Sequence, residues 1–344
     1  MFYLPTKTQI LLEDSSVKNI EDIIVGDKII THNGCKPVLN INKIKYCNEL
    51  LELKINNNLK IKIMPKQKFY TSNFCFEQPN IKDSLLSPVI KTQLKSNLTP
   101  NQARLLGLYA AEGSLHKRKN SYDNCVIFSF SHLEENTLAR LTKELLVKEF
   151  SAKVTTKIIN IANKCSVDAY AKDIYKFFLK YVGTYSYYKK LHPELVFGSN
   201  EIKTQFLLGW LEGDGCIDKY SNRITGTTIS PQLAYQTRTM FYNLGIHNGL
   251  YLRKITNSII RGKPLIGKHE SYNIRINSTH AQDFIKDSEE LYVKPIKTKR
   301  LNKFIGNYCI HKLLCKTKVD YDGDMYNLEV EDGSYVANGI IMSN

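Results

Sequence analysis

The sequence predicts an α+β chain in which an all-β region, built from both ends, encloses a doubled α/β region. Three observations carry this. Turn-punctuated β-type runs fill the two ends, helical patterns fill the middle, and one nine-residue pattern occurs twice within that middle.

The β-type runs of the first end lie at residues 9–12, 28–31, 38–41 and 51–55, with turn signals at Gly26-Asp27 and Asn33-Gly34. In the middle, Thr99-Pro100 opens a predicted helix over 99–114, with Gly113 as a stop signal. Leu133, Leu138, Leu141, Leu145 and Val147 give residues 131–150 an amphipathic helical pattern, and residues 171–182 give another. After Glu201 the order recurs: a helix through Gly213, a strand near 223–228 and a helix over 231–244. A strand-like stretch at 250–277 and a short helix near 279–285 follow. Strands at 324–330 and 334–337, joined at Asp332-Gly333, return the chain to β. The expected division is residues 1–95 and 306–344 as one β domain and 96–305 as the insert, with subdomains at 96–198 and 199–305. Insertions of this kind are tolerated because the chain ends of a domain lie close together.

The chain has 344 residues, 42% hydrophobic and 24% charged, with 48 Lys+Arg against 33 Asp+Glu, a net charge of +15. This excess favours a polyanionic partner, although an Ile-, Asn- and Lys-rich composition also arises from AT-rich coding sequence. No run of about 18 apolar residues is present, which argues against a membrane partner. The N-terminal residues do not read as a secretory signal, so an intracellular, soluble protein is the expectation, cytoplasmic or wherever its target resides. The eight cysteines form no C-x-x-C pair and precede no histidine pair at zinc-finger spacing, so free thiols and no zinc finger are expected.

The repeat is Leu105-Leu106-Gly107-Leu108-Tyr109-Ala110-Ala111-Glu112-Gly113 and Leu207-Leu208-Gly209-Trp210-Leu211-Glu212-Gly213-Asp214-Gly215. In register, each copy ends in a carboxylate and a glycine, with small residues four apart at Gly107/Ala111 and Gly209/Gly213. Such residues share one helix face and let two backbones approach closely. Each helical glycine costs about 1 kcal/mol relative to alanine, and close helix packing is a reason to accept it. A carboxylate in the last turn faces the negative end of the helix dipole. A bound cation relieves that repulsion, and two acids that meet at one cation suit phosphodiester chemistry.

These two segments resemble the paired motifs of LAGLIDADG homing endonucleases. The resemblance implies a pseudo-twofold αββαββα domain with Glu112 and Asp214 at the foot of two crossing helices above a DNA minor groove. It implies that these carboxylates and the Ala111 and Gly213 carbonyls bind Mg²⁺, with Mn²⁺ able to substitute, and that both strands of a long asymmetric duplex site are cut. Lys189-Lys190-Leu191-His192-Pro193 resembles the lysine block that precedes the second motif in intein-borne members, in which Lys190 holds the place of the active-site lysine and is the catalytic candidate. Lys299, or Lys297, is the implied counterpart in the second half. Glu212 is read as supporting the fold. Arg253, Lys254, Arg261, Lys263, Lys297 and Arg300 are candidate DNA contacts; a solvated basic face is the other reading. Two motif copies make a monomer sufficient.

The ends resemble a Hint domain, the splicing fold of inteins, through Thr8-Gln9-Ile10-Leu11, Val25-Gly26-Asp27, Tyr326-Asn327-Leu328-Glu329-Val330 and Ala337-Asn338-Gly339. Splicing requires an N-terminal nucleophile, an imidazole and a terminal His-Asn. Tyr3, or Met1, stands at the nucleophile position, Gln67 replaces the imidazole, Ser343 replaces the penultimate histidine, and Asn344 is kept. Gln cannot shuttle a proton, so splicing is expected to be lost. Two alternatives stay open: an intein that still self-splices or cleaves by a non-standard route, and a decayed DNA-binding protein or nickase.

Overall fold

The computed structural model describes residues 2–56, 59–117, 124–131, 133, 135–151, 154–159, 164–218, 223–254, 258–260, 263–265, 268–277, 284–285, 288 and 303–344. The chain separates into two compact units. One holds residues 1–91, 249–252 and 301–344, and the other residues 92–248 and 253–300.

In the first unit, both chain ends share the same sheets. Leu4–Pro5, Tyr308–Glu329, Asn40–Ile55 and Lys60–Ile63 pair in that order. A second sheet runs Val17–Asn19, Gln9–Leu11, Ser334–Ala337, Ile340–Ser343, Phe69–Tyr70 and Phe76–Glu77. Ile10 sits opposite Ala337 and Met342 opposite Phe69, so residues more than 270 positions apart close one ladder. Ile10, Ile29, Leu53, Ile61, Phe69, Leu85, Leu313, Leu328, Tyr335 and Met342 form the buried core. The separate runs expected at 38–41 and 51–55 are one strand of 16 residues, and the expected strand at 324–330 is the end of one of 22. The hydrophobic alternation fades along 42–49 because that part of the ribbon is exposed or half-buried.

The second unit contains six α-helices among its described residues: α1 (Pro100–Glu112), α2 (Arg140–Phe150), α3 (Lys172–Tyr181), α4 (Pro193–Val196), α5 (Asn200–Asp214) and α6 (Pro231–Asn243). Its first half runs α1, strands Gly113–His116 and Cys125–Ser131, α2, strands Val154–Ile159 and Lys164–Tyr170, then α3. The helix expected from residue 131 starts later. Ser131 ends a strand, and a π-turn at Glu135–Ala139 leads into α2. In the second half, α5 is followed by Gly215–Asp218, Arg223–Thr228 and α6, and Ser271–Ile276 pairs with Arg223–Thr228. The stretch at 250–277 is several strands, Asn248–Arg253, Ser258–Ile260, Lys263–Leu265 and Ser271–Ile276, rather than one. All eight cysteines are free. No described helix is long and apolar enough to cross a membrane.

Candidate functional site

The two repeat helices pack against each other along their small residues. A Cβ on Gly107 would overlap the Phe206 carbonyl and lie 2.7 Å from the Trp210 nitrogen. A Cβ on Gly209 would overlap the Arg104 carbonyl and lie 3.0 Å from the Leu108 nitrogen. Residues 206 and 210 are the register partners of 104 and 108, so each helix meets the other with the same face. That reciprocity is the mark of a local twofold axis. Only glycine permits this approach, and the sequence places one at the crossing on each helix.

Local chemistry fixes both helices. Thr99 and Gln102 form a capping box on α1, with Gln102 N–H donating to Thr99 Oγ1 at 3.1 Å and Thr99 N–H donating to Gln102 Oε1 at 3.2 Å. Ser199 caps α5 by accepting from Ile202 N–H at 3.3 Å. At their far ends the helices pass directly into strands. Gly113 and Gly215 have φ of −92° and −91°, extended rather than the left-handed conformation usual for a glycine stop. Glycine is required there by space, because a Cβ on Gly113 would lie 2.6 Å from Cγ of the Tyr109 ring and one on Gly215 2.9 Å from the Leu211 carbonyl carbon.

This geometry brings Glu112 and Asp214, the last residues of α1 and α5, to one place. A Cβ on Gly213 would lie 2.5 Å from Ala111 Cβ, 3.2 Å from Glu112 Cγ and 3.8 Å from Glu112 Oε1. The Glu112 carboxylate thus lies against the backbone next to Asp214. Burial is the largest influence on Asp214 and raises it from 3.8 to about 6, while charged Lys189 and the Trp210 indole act in the opposite direction. The indole N–H is beside the carboxylate without full hydrogen-bond geometry.

The buried lysine at this centre is Lys189. Its Nζ donates to the carbonyls of Tyr109 at 2.9 Å, Ala110 at 2.8 Å and Gly113 at 3.0 Å. α1 has no basic residue in its own last turn, so Lys189 neutralises that helix terminus from outside. Burial pulls it from 10.5 to about 8, against the attraction of Asp214 and Glu112. Lys190, the residue singled out by sequence, is exposed, and its N–H is held by the Val182 carbonyl at 2.9 Å. Two adjacent lysines compete for the inward position, and tertiary contacts of the loop decide between them.

A second charged pair links the helices. Arg104 Nη2 donates to Glu212 Oε1 at 2.5 Å, and Ser288 Oγ donates to the same oxygen at 2.8 Å. Both charged side chains are buried, in keeping with a supporting part for Glu212. Trp210 packs on the adjoining sheet at Gly226, where a Cβ would lie 2.7 Å from ring atom Cζ3.

The remaining sequence candidates are dispersed. Arg253 and Lys254 are exposed at the end of Asn248–Arg253. Lys263 begins the strand Lys263–Leu265. Arg261, Lys297, Lys299, Arg300 and Met1 lie outside the described residues. In the first unit, Gln67 is buried and its Nε2 donates to the Ser343 carbonyl at 2.7 Å. Asn344 N–H donates to the Gly333 carbonyl at 3.1 Å. Tyr3 is half-buried beside Leu4–Pro5.

Two carboxylates that approach one another are hard oxygen donors of the kind that hold a divalent cation completed by water or substrate phosphate. Among the described residues no cluster of three or more His, Cys, Asp or Glu side chains offers a self-sufficient cage. Residues 201–287 match the LAGLIDADG-like domain. The matched segment lies in the second half, from α5 onward. Similarity also extends to the Thermococcus kodakarensis ATP-dependent DNA helicase Hel308, at 23% identity over 96% of this chain and 35% of that protein. The DNA polymerase of the same organism is 26% identical over 67% of this chain and 15% of its own length. The uncharacterised protein MJ0043 of Methanocaldococcus jannaschii is 22% identical over 96% of this chain. The chain spans less than half the length of each of these relatives. Among solved structures, mesophilic variants of the homing endonuclease I-DmoI align with 54% of this chain and 93% of theirs, at 17% identity and a TM-score of 0.39. Full-length DUF199/WhiA from Thermatoga maritima aligns with 57% of this chain and 58% of its own, at 15% identity and a TM-score of 0.37.

Proposed function

We propose that this chain is a site-specific double-strand DNA endonuclease that uses a divalent cation, Mg²⁺ with Mn²⁺ as a substitute, and recognises a long asymmetric target as a monomer. The observation that carries the reading is the convergence of Glu112 and Asp214 at the paired ends of α1 and α5, beside buried Lys189. Glu112, Asp214 and the carbonyls of Ala111 and Gly213 would hold the cation. Bound there, the cation supplies charge neutralisation at the phosphodiester and a Lewis acid for its hydrolysis. Lys189, charged below about 8, would add positive charge to the centre where hydrolysis develops negative charge. Lys190 remains a candidate for phosphate contact from its exposed position. Arg253 and Lys254, with Arg261, Lys263, Lys297 and Arg300, supply salt-dependent backbone attraction. On the face of the second-half sheet opposite buried Ile224 and Ile274, Arg223, Thr227 and Arg275 are further polar groups for groove contact.

The β unit is read as a Hint domain without splicing chemistry. Gln67 meets the Ser343 carbonyl as a donor, but its amide does not titrate at ordinary pH and cannot serve as a general acid or base. A fusion with foreign sequence on both sides of the chain should stay unprocessed on a denaturing gel. Appearance of ligated flanks would restore the splicing reading. For the nuclease, incubation with a duplex library and Mg²⁺, followed by sequencing of new ends, should give breaks at one recurrent sequence. Asp214→Asn and Glu112→Gln should abolish them while retaining the duplex, whereas unchanged cutting by Asp214→Asn would refute the assignment.

A further inference from the structure

We infer that Gln236, with Ser230, is a positioning residue that sets Lys189 in the site. The role in cleavage rests on the endonuclease reading above; the placement of the lysine does not. Lys189 lies on an extended segment between α3 and α4, where no strand partner satisfies its backbone. Two other sources do so. Toward α3, Lys190 N–H donates to Val182 and His192 N–H to Tyr181, each at 2.9 Å. Toward α6, Gln236 grips Leu191 at two points, accepting from its N–H at 2.7 Å and donating to its carbonyl at 2.8 Å. Ser230, which precedes α6, donates to the Lys189 carbonyl at 2.6 Å.

Gln236, Ser230 and Leu191 are all at most 1% exposed, so water cannot replace either partner of these bonds. A buried backbone N–H and C=O left without partners is strongly disfavoured, and this fixes the segment in one register. That register turns Lys189 inward and leaves Lys190 exposed. Neither lysine has a property of its own that would choose. The clamp comes from the second half of the unit, whereas the Lys189 ammonium docks on the carbonyls that end α1 in the first half. The lysine therefore ties the end of one motif helix to a helix of the other half. Glutamine is suited to this work because one side chain carries both a donor and an acceptor.

Two measurements on the full chain test the proposal. Lysine labelling by an amine-reactive acetylating reagent, read by mass spectrometry, should find Lys189 protected in the parent. In Gln236→Leu its labelling should rise at least about tenfold while Lys190 labelling stays constant, because release from a buried site exposes the amine. Unchanged protection of Lys189 in that variant would overturn the inference. In single-turnover cleavage at saturating duplex, Gln236→Leu should slow the reaction by about 10- to 100-fold with duplex affinity unchanged. In a Lys189→Met background it should have no further effect, because a residue that acts only through Lys189 has nothing left to position. An equal loss in both backgrounds would overturn the positioning role. Should Gln236→Leu not fold, Ser230→Ala carries both tests with the same outcomes. If the parent cuts no duplex, the endonuclease reading falls while the labelling result still decides the placement.

Discussion

Asp214→Asn should stabilise the protein at neutral pH while removing its proposed chemistry. The Asp214 carboxyl is raised from 3.8 to about 6, chiefly by burial, with Lys189 and Trp210 opposing. In the unfolded chain it titrates near its ordinary value. Between these two values the native state binds more protons than the unfolded state, so stability falls as pH rises through the window. The loss is complete above about 6. A shift of about two units, at about 1.36 kcal/mol each, sets a ceiling of roughly 3 kcal/mol. The carboxylate is mostly but not fully buried and is coupled to Lys189, which brings the expectation to about 1–3 kcal/mol. Asparagine cannot ionise and escapes this loss. Urea titrations in EDTA from pH 4 to pH 8 measure it. The variant should gain on the parent as pH rises from 4 to 6.5 and then hold a constant lead. A lead that does not vary with pH, or a variant less stable than the parent at pH 7.5, would refute the reasoning.

Three further outcomes are expected. Cleavage should rise with pH as Asp214 ionises near 6 and fall above about 8 as Lys189 loses its proton, and the rising limb should move to lower pH at higher cation concentration; a flat profile from pH 5 to 9 would contradict both roles. Gly107→Ala, which in an exposed helix would stabilise by about 1 kcal/mol, should instead destabilise by about 1–3 kcal/mol in thermal melts, because the added carbon overlaps the Phe206 carbonyl. Arg104→Met should cost about 3–5 kcal/mol by leaving buried Glu212 without its cationic partner, and Arg104→Met with Glu212→Met should recover most of the loss in the same unfolding assay.

Much of the motif region was legible because its signals are local. The Thr99-Pro100 start signal and the small residues at 107 and 209 each act within a few positions or at a fixed helical spacing, whereas the Gln102 half of the capping box and the Ser199 cap emerged with the structure. The helices expected at 171–182 and 231–244 are found as α3 and α6, within a residue at each end. The end of α1 was harder. Gly113 marks the stop, but the extended turn and the clash with the Tyr109 ring that require glycine arise from packing. Lys189 and Lys190 are chemically alike in sequence, and the backbone contacts that hold their segment come from Val182 and Tyr181 on one side and from Gln236 and Ser230, some 40 positions away, on the other. The long ribbon strands Asn40–Ile55 and Tyr308–Glu329 were read as fragments because their pairing continues where burial does not. The meeting of Gln67 with Ser343 is likewise a contact across 276 positions that no local pattern announces.

The central claim is that Glu112 and Asp214 make one cation pocket that works on DNA. Paramagnetic resonance of Mn²⁺ titrated into the protein with its selected duplex at pH 7.5 tests it most directly. Mn²⁺ should bind the parent, be lost in Asp214→Asn and be sharply weakened in Glu112→Gln, with the duplex still held in both. Equal Mn²⁺ binding by the parent and Asp214→Asn would contradict the claim.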